Sequence, residues 1–292
     1  MPYIYLLCAI VTSAMLAISG TLFNQKNHHR EGLGHLYNLI GACSNFLTWV
    51  IIFCTNPAVD WRVLPYAGLY GVCYALFWVG LTCALQCGSA ALSGFIKQIA
   101  FVFVAIWGFL FWGSEPTATV IAGMLLIAVA LFLCLVPIGK NTQKGAIKIS
   151  GKWLLYAAFI LSGNAGCSII QKTQQMNFQG QYGSFLMVAA TFFAVIFCLV
   201  MCWNDDKKGW LQVIKGNWYF PVSAGTCSAI CNLFLIVLAS TSLSPSVIYP
   251  ALAIGGLALT ILVSVAICKE RLRTLQWFGL VVGAVALVLL NL

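Results

Sequence analysis

The chain has 292 residues, of which 62% are hydrophobic and only 7% are charged. An ordinary soluble domain has roughly 25% charged residues, so this chain has too few charges to cover the surface of a water-soluble globule. The mean hydropathy of +0.97 instead predicts many membrane-spanning helices. The net charge of +9 does not indicate nucleic-acid binding, because the basic residues are scattered between apolar runs and not gathered on one face.

Ten apolar runs bounded by charges, Pro or Gly predict ten helices. In chain order they cover 2–23, 34–55, 63–85, 89–112, 117–137, 153–171, 182–203, 218–241, 245–268 and 273–291. These ranges leave short connections, so we expect no extramembrane domain and place any binding chemistry between helices. The first run lacks the basic start of a cleaved signal peptide and is predicted to be a retained span.

The positively charged residues predict the orientation in the membrane. The connections after the first, third, fifth, seventh and ninth helices hold Lys26, Arg30, Lys140, Lys144, Lys148, Lys152, Lys207, Lys208, Lys215, Lys269, Arg271 and Arg273. The opposite side holds only Arg62 and Lys172. Because cytoplasmic loops carry the excess of Lys and Arg, the first set is predicted to be cytoplasmic and both termini to face outward from a multi-pass protein of the cell membrane.

The two halves of the sequence resemble each other at an offset of 155 to 156 residues. The matching pairs are Pro65 and Pro221, Ser89 and Ser244, Glu115 and Glu270, Thr119 and Thr274, and Gly123 and Gly279. This predicts a duplicated five-helix unit, covering 1–146 and 147–292. Since five is odd, the second unit enters the membrane from the other side. The predicted fold is an all-α integral membrane protein with ten transmembrane helices as two inverted five-helix repeats.

Two five-helix halves, each ending with a Glu, a Thr and a Gly-led last helix, resemble the drug/metabolite transporter superfamily and its EamA-like ten-span members. The residues that carry the resemblance run from Glu115 to Leu133 and from Glu270 to Leu292. The resemblance implies a transporter but leaves the substrate open, since members export amino acids, metabolites or drugs and relatives carry nucleotide sugars or lipid-linked sugars. Many ten-span members resemble one another in keeping both termini cytoplasmic, which differs from the orientation that the charges predict. The Pro often found midway along the fourth span is absent.

Lys97 is the only charged residue well inside a predicted helix, eight residues after Ser89 and so about 12 Å deep. An ammonium at such a depth costs at least about 2.5–3.5 kcal/mol, so it should face an aqueous cavity or a partner. We predict that Lys97, with Gln98 beside it, binds a carboxylate or phosphate of the substrate. Two alternatives stay open: Lys97 loses its proton during transport, or the helix is shifted and the side chain reaches the membrane interface.

Other polar and aromatic residues inside the predicted helices complete the candidate site. The predicted substrate-binding residues are Tyr74, Trp78, Asn164, Asn232, Ser246 and Tyr249, and the predicted conformational residues are Gly163, Pro250, Gly255 and Gly256. Glycine next to Asn164 permits close helix approach or local unwinding, and Pro250 removes one helical hydrogen bond. Packing is the alternative role for the aromatic residues. The pair Gly279 and Gly283 predicts packing within the chain, with dimerisation as the alternative.

The predicted function is secondary-active transport of a small polar or amphipathic metabolite, such as an amino acid or other organic anion or zwitterion, by alternating access. The alternatives are a proton-coupled exporter of drugs or lipophilic cations and a non-transporting membrane component such as a lipid-headgroup flippase subunit. All six carboxylates map to loops or helix ends, which disfavours exchange at an embedded acid. We expect no enzyme activity, cofactor, metal or nucleic acid. The expected partners are the solute, the lipid bilayer and a coupling proton, with the chain a monomer or homodimer.

Overall fold

The computed structural model describes residues 2–26, 33–87, 90–113, 115, 117–135, 151–203, 210, 215–241, 243–268 and 274–289. The regular structure of these residues is entirely helical. Ten long helices follow one another: α1 Pro2–Lys26, α2 Leu33–Thr55, α3 Leu64–Cys87, α4 Ala90–Phe111, α5 Ala118–Leu135, α6 Gly151–Asn177, α7 Gly183–Trp203, α8 Tyr219–Ala239, α9 Pro245–Cys268 and α10 Thr274–Leu289. A short 3-10 helix, Trp61–Val63, precedes α3. The predicted all-α class is confirmed for this part of the chain.

Among the described residues, six helices are long and apolar enough to cross a membrane. Their candidate spans are Pro2–Gly20, Leu33–Thr55, Trp61–Leu81, Gly151–Asn177, Gly183–Trp203 and Tyr219–Ala239. The described parts of α4, α5, α9 and α10 contain shorter apolar segments. The architecture is that of an α-helical membrane protein, and the crossing of the membrane by all ten helices stays a prediction.

The end of α6 differs from the sequence prediction. The helix was expected to end at residue 171, with Lys172 in the following connection, but it runs on to Asn177. Lys172 is therefore inside the helix and only 8% exposed. The polar residues that suggested a loop are buried, because Gln174 donates from Nε2 to the Gln181 carbonyl and Lys172 donates from Nζ to the Ala239 carbonyl. Buried polar groups are tolerated where such partners exist.

The chain divides into two compact units. Unit 1 comprises Met1–Gly71 and Ile170–Thr241, and unit 2 comprises Val72–Ile169 and Ser242–Leu292. Two of the three boundaries fall inside helices, within α3 and α6, and the third lies in the connection between α8 and α9. Each unit contains residues of both predicted repeats, so the two units do not correspond to the two repeats. The predicted repeat boundary at 146 lies outside the described residues.

Unit 1 is held together by the packing of α8 against α1 and α2 and of α2 against α7. A close crossing lies at Gly225 of α8, where a Cβ would lie 3.0 Å from the Asn45 nitrogen and still nearer to the Gly41 carbonyl oxygen. Ser44 strengthens this crossing, since its hydroxyl donates to the Val222 carbonyl at 2.9 Å. Small and hydroxyl-bearing residues at such crossings are typical of helix pairs in membranes.

Unit 2 is built on α4 against α9 and α5 against α10. Its core includes the buried apolar residues Val102, Met124, Ile127, Leu131, Ala253, Ile254 and Leu257. A Cβ at Gly283 of α10 would lie 2.6 Å from Ile254 Cγ1 and 3.5 Å from Ala130 Cβ. This glycine therefore serves close packing within the chain, as the sequence predicts.

Candidate functional site

Lys97 lies inside α4, seven residues after the helix begins at Ala90. At 1.5 Å per residue this is about 10 Å along the helix axis, so the side chain does not start from the helix end. The residue is half-buried, and its Nζ lies 5.9 Å from the centroid of the Phe77 ring in α3. At this distance the ammonium is attracted to the negative face of the ring. Gln98, the next residue, is also half-buried.

Asn164 of α6 is joined to the same position of α4. Its Nδ2 donates to the main-chain carbonyl of Lys97 at 2.7 Å. No hydrogen bond within the described part of the chain engages its Oδ1. Because an amide oxygen accepts up to two hydrogen bonds, Asn164 presents an acceptor close to the helix segment that carries the lysine.

Gly163 brings α6 against α3 next to this position. A Cβ there would lie 2.5 Å from the Cys73 carbonyl oxygen and 2.5 Å from the Phe77 nitrogen, so only glycine fits. The helix remains continuous through this segment. The structure shows the close approach that Gly163 permits, and local unwinding at this residue stays a prediction. The approach holds Phe77 where its ring meets the Lys97 ammonium.

Tyr74 and Trp78 form an aromatic group with Phe77 on α3. The Trp78 ring centroid lies 5.9 Å from that of Tyr74 and 5.3 Å from that of Phe77. Tyr74 and Trp78 are half-buried, whereas Phe77 belongs to a buried cluster. Phe77 is not among the residues predicted from the sequence, because a phenylalanine in an apolar helix has no polar group that marks it, and only its contact with Lys97 of α4 shows its place in the site.

The α9 candidates are packed into the interior of unit 2. Ser246 is 2% exposed and its Oγ is 2.7 Å from that of Ser244. Tyr249 is 4% exposed, its hydroxyl donates to the Ser168 carbonyl at 3.4 Å, and its ring stacks on Phe101 with centroids 6.1 Å apart. These contacts are typical of packing residues, and the binding role predicted for Ser246 and Tyr249 stays a prediction.

The predicted conformational residues of α9 lie in an unbroken helix. Pro250 is inside the helix and buried, Gly255 is half-buried and Gly256 is buried. Proline has no N–H, so the Ser246 carbonyl four residues earlier lacks its usual helical donor. The structure shows this one conformation, and the role of these three residues in movement stays a prediction.

Asn232 belongs to unit 1, whereas the other eleven predicted site residues belong to unit 2. Its Nδ2 donates to the Ser228 carbonyl of its own helix at 2.9 Å, and its main-chain carbonyl accepts from Gln171 Nε2 at 3.4 Å. The residues that unit 2 brings together are Lys97, Asn164, Gly163, Tyr74 and Trp78, with Phe77 added. Among the described residues, no group of three or more His, Cys, Asp or Glu side chains could hold a metal ion.

The comparisons with known proteins bear on the fold alone. No family model matches the sequence, and no curated protein matches it. A solved structure described only as "Crystal structure of protein" is similar over 99% of this chain and 95% of its own, with a TM-score of 0.75 and 10% sequence identity. The arrangement of helices is therefore one that also occurs in a solved structure, while its title says nothing of activity.

Proposed function

We propose that the chain is a secondary-active transporter of the drug/metabolite transporter type, which moves a small anionic or zwitterionic metabolite across the cell membrane by alternating access. The observation that carries the proposal is Lys97, a half-buried lysine inside an apolar helix whose ammonium meets an aromatic ring. Ionisable residues are expensive in such helices and commonly mark a solute or ion pathway.

The helix pairing supports two inverted repeats. Within unit 1, α2 packs on α7, and within unit 2, α4 packs on α9 and α5 on α10. Each of these pairs joins helices that are five apart in the chain. A two-fold relation between two five-helix repeats brings equivalent helices together in this way, and inverted repeats of this kind underlie alternating access in many transporters.

In this proposal Lys97 forms an ion pair with the anionic group of the solute. Asn164 offers Oδ1 as a hydrogen-bond acceptor for an N–H or O–H of the solute, while Tyr74 and Trp78 supply apolar contact. Phe77 positions the lysine and is itself positioned by Gly163. Loss of a hydrogen bond to a charged group costs about 1.5–3 kcal/mol, which corresponds to roughly ten- to hundredfold in affinity.

The test is a thermal-shift screen of the purified chain against small carboxylates, phosphates and lipophilic cations, followed by uptake of each stabilising compound into proteoliposomes. Lys97→Gln should weaken binding of an anionic compound by ten- to hundredfold and reduce its uptake. The control is Lys152→Gln, which removes an exposed lysine from the first turn of α6.

Unchanged uptake by Lys97→Gln would refute the role of the lysine. A lipophilic cation whose uptake survives Lys97→Gln but falls in Trp78→Ala would favour the drug-exporter alternative. Absence of uptake for every compound that stabilises the chain would favour a non-transporting membrane component.

A further inference from the structure

A surface hollow of about 510 Å³ lies in unit 1, where the connection after α2 meets the connection after α6. Its volume is within the range of small-molecule sites, roughly 300–1,000 Å³. The residues of its wall that carry the argument are Asp60, Arg62, Tyr66, Asn177, Phe178 and Tyr182. The hollow thus combines one carboxylate, one guanidinium and three aromatic rings.

The two charges of the hollow are held side by side. Asp60 Oδ1 accepts from the Arg62 main-chain nitrogen at 2.9 Å and from Arg62 Nε at 3.3 Å. The side chains are 16% and 84% exposed, respectively. Within the described part of the chain, no hydrogen bond engages Asp60 Oδ2 or the terminal nitrogens of Arg62. Those nitrogens form the flat pair of donors that suits a carboxylate, and Oδ2 is an acceptor for an ammonium.

An aromatic wall stands beside the charged pair. The Phe178 ring meets the rings of Tyr66 and Tyr182 edge to face, at centroid distances of 5.9 and 6.0 Å. Asn177 Nδ2 donates to the Tyr66 hydroxyl at 2.8 Å, which fixes the position of that ring. Aromatic rings that line one space attract ammonium groups, including methylated ones that cannot donate hydrogen bonds.

The turn that carries this wall is ordered by its own hydrogen bonds. Gly180 N donates to the Gln175 carbonyl at 2.7 Å, and the buried Gln174 side chain donates to the Gln181 carbonyl at 2.9 Å. Two non-glycine residues of the turn, Gln179 and Tyr182, have left-handed φ values of 52° and 59°. Such conformations persist only where the surroundings hold them, so the wall is formed before a ligand arrives.

We propose that this hollow binds a small zwitterion, with its carboxylate or phosphate on the terminal nitrogens of Arg62 and its ammonium between Asp60 Oδ2 and the aromatic wall. The proposal goes beyond transport at Lys97, because it requires only residues of unit 1. A free amino acid, a betaine and a phosphatidylethanolamine headgroup share this chemistry, and the test separates the dissolved solutes from the lipid.

The experiment is calorimetric titration of the full chain in a non-ionic detergent with leucine, glycine betaine and dihexanoyl phosphatidylethanolamine. N-acetylleucine and leucinamide, which keep one charge each, are the single-charge controls. At least one zwitterion should bind, and if leucine binds, both single-charge analogues should bind at least tenfold more weakly. Binding of the short-chain lipid alone assigns the hollow to a headgroup, whereas binding of leucine or betaine assigns it to a dissolved solute.

Arg62→Gln and Asp60→Asn should each weaken zwitterion binding at least tenfold. Asparagine at 60 retains an oxygen that can accept from the Arg62 main-chain nitrogen, so the 3-10 helix keeps its cap. An unchanged melting temperature verifies that each variant folds, and Lys152→Gln should leave binding unchanged. Binding of none of the three zwitterions, or equal binding to wild type and Arg62→Gln, overturns the proposal.

The same titration in Lys97→Gln separates this proposal from the transport proposal. The zwitterion binding that Arg62→Gln removes should persist in Lys97→Gln. If affinity instead falls in Lys97→Gln and not in Arg62→Gln, the solute binds in unit 2, so the hollow is not its site and the transport proposal stands.

Discussion

Two lysines on apolar helices, Lys172 in unit 1 and Lys97 in unit 2, differ in the group that receives the ammonium. Lys172 is almost fully buried and donates to the Ala239 carbonyl at the end of α8. The last carbonyls of a helix lack partners within that helix and carry partial negative charge, so they suit a cation. Lys97 is half-buried, and its ammonium lies over an aromatic ring. The buried lysine supports the fold at a helix end, whereas the half-buried lysine beside a ring is the one to which the transport proposal assigns the solute.

The largest effect is expected from Gly163→Ala, which changes the surroundings of Lys97 in unit 2. The new Cβ would lie 2.5 Å from main-chain atoms of α3, so α3 and α6 must separate and Phe77 must move away from Lys97. Such overpacking costs about 1–3 kcal/mol. Unfolding in detergent should show this loss, and binding of an anionic solute should weaken as well. The control is Gly68→Ala, because a Cβ at Gly68 of α3 meets nothing within 4 Å.

Lys172→Met should lower the free energy of unfolding by about 1–3 kcal/mol, since the Ala239 carbonyl loses its charged donor in a buried position. Lys172→Arg retains a donor and should lose less. Denaturant titration of both variants in the same detergent measures the difference. Wild-type stability in Lys172→Met would show that the hydrogen bond does not support the fold.

Lys97→Met should have a smaller effect on stability than Lys172→Met. The variant loses the attraction to the Phe77 ring but also removes a charge from an apolar helix, so the free energy of unfolding should change by less than about 1 kcal/mol, while binding of an anionic solute weakens. The pair of methionine variants therefore separates a structural lysine from a binding lysine. A loss of stability in Lys97→Met equal to that in Lys172→Met would remove the distinction.

The smallest effect concerns the turn that follows the helix of Lys172. Gln179 has a φ of 52°, a conformation that costs a residue with a Cβ roughly 1 kcal/mol more than glycine. Gln179→Gly should therefore raise the melting temperature slightly. Gln181 lies outside the left-handed region, so Gln181→Gly, the matched control, should lower it. A decrease in both variants would show that the Gln179 side chain stabilises the turn through its own contacts.

Much of the fold was predictable from the sequence because apolar runs of about 20 residues determine where helices lie. Within the residues that the structure describes, nine of the ten helices begin and end within three residues of the predicted ranges. The end of α6 was not predictable, since the run from Gln171 to Gln175 is polar and only tertiary partners explain its burial. The same limit applies to the site. The sequence does not reveal the contact of Phe77 with Lys97, nor that main-chain carbonyls accept hydrogen bonds from the Asn232 amide and the Tyr249 hydroxyl.

The side-chain amide of Asn164 donates its hydrogen bond to the main-chain oxygen of Lys97, so this bond does not involve the ammonium. The anchoring of α4 to α6 therefore does not depend on which side chain occupies position 97. Under the transport proposal, a substitution at position 97 changes the charge presented to a solute while the hydrogen bond between α4 and α6 is kept.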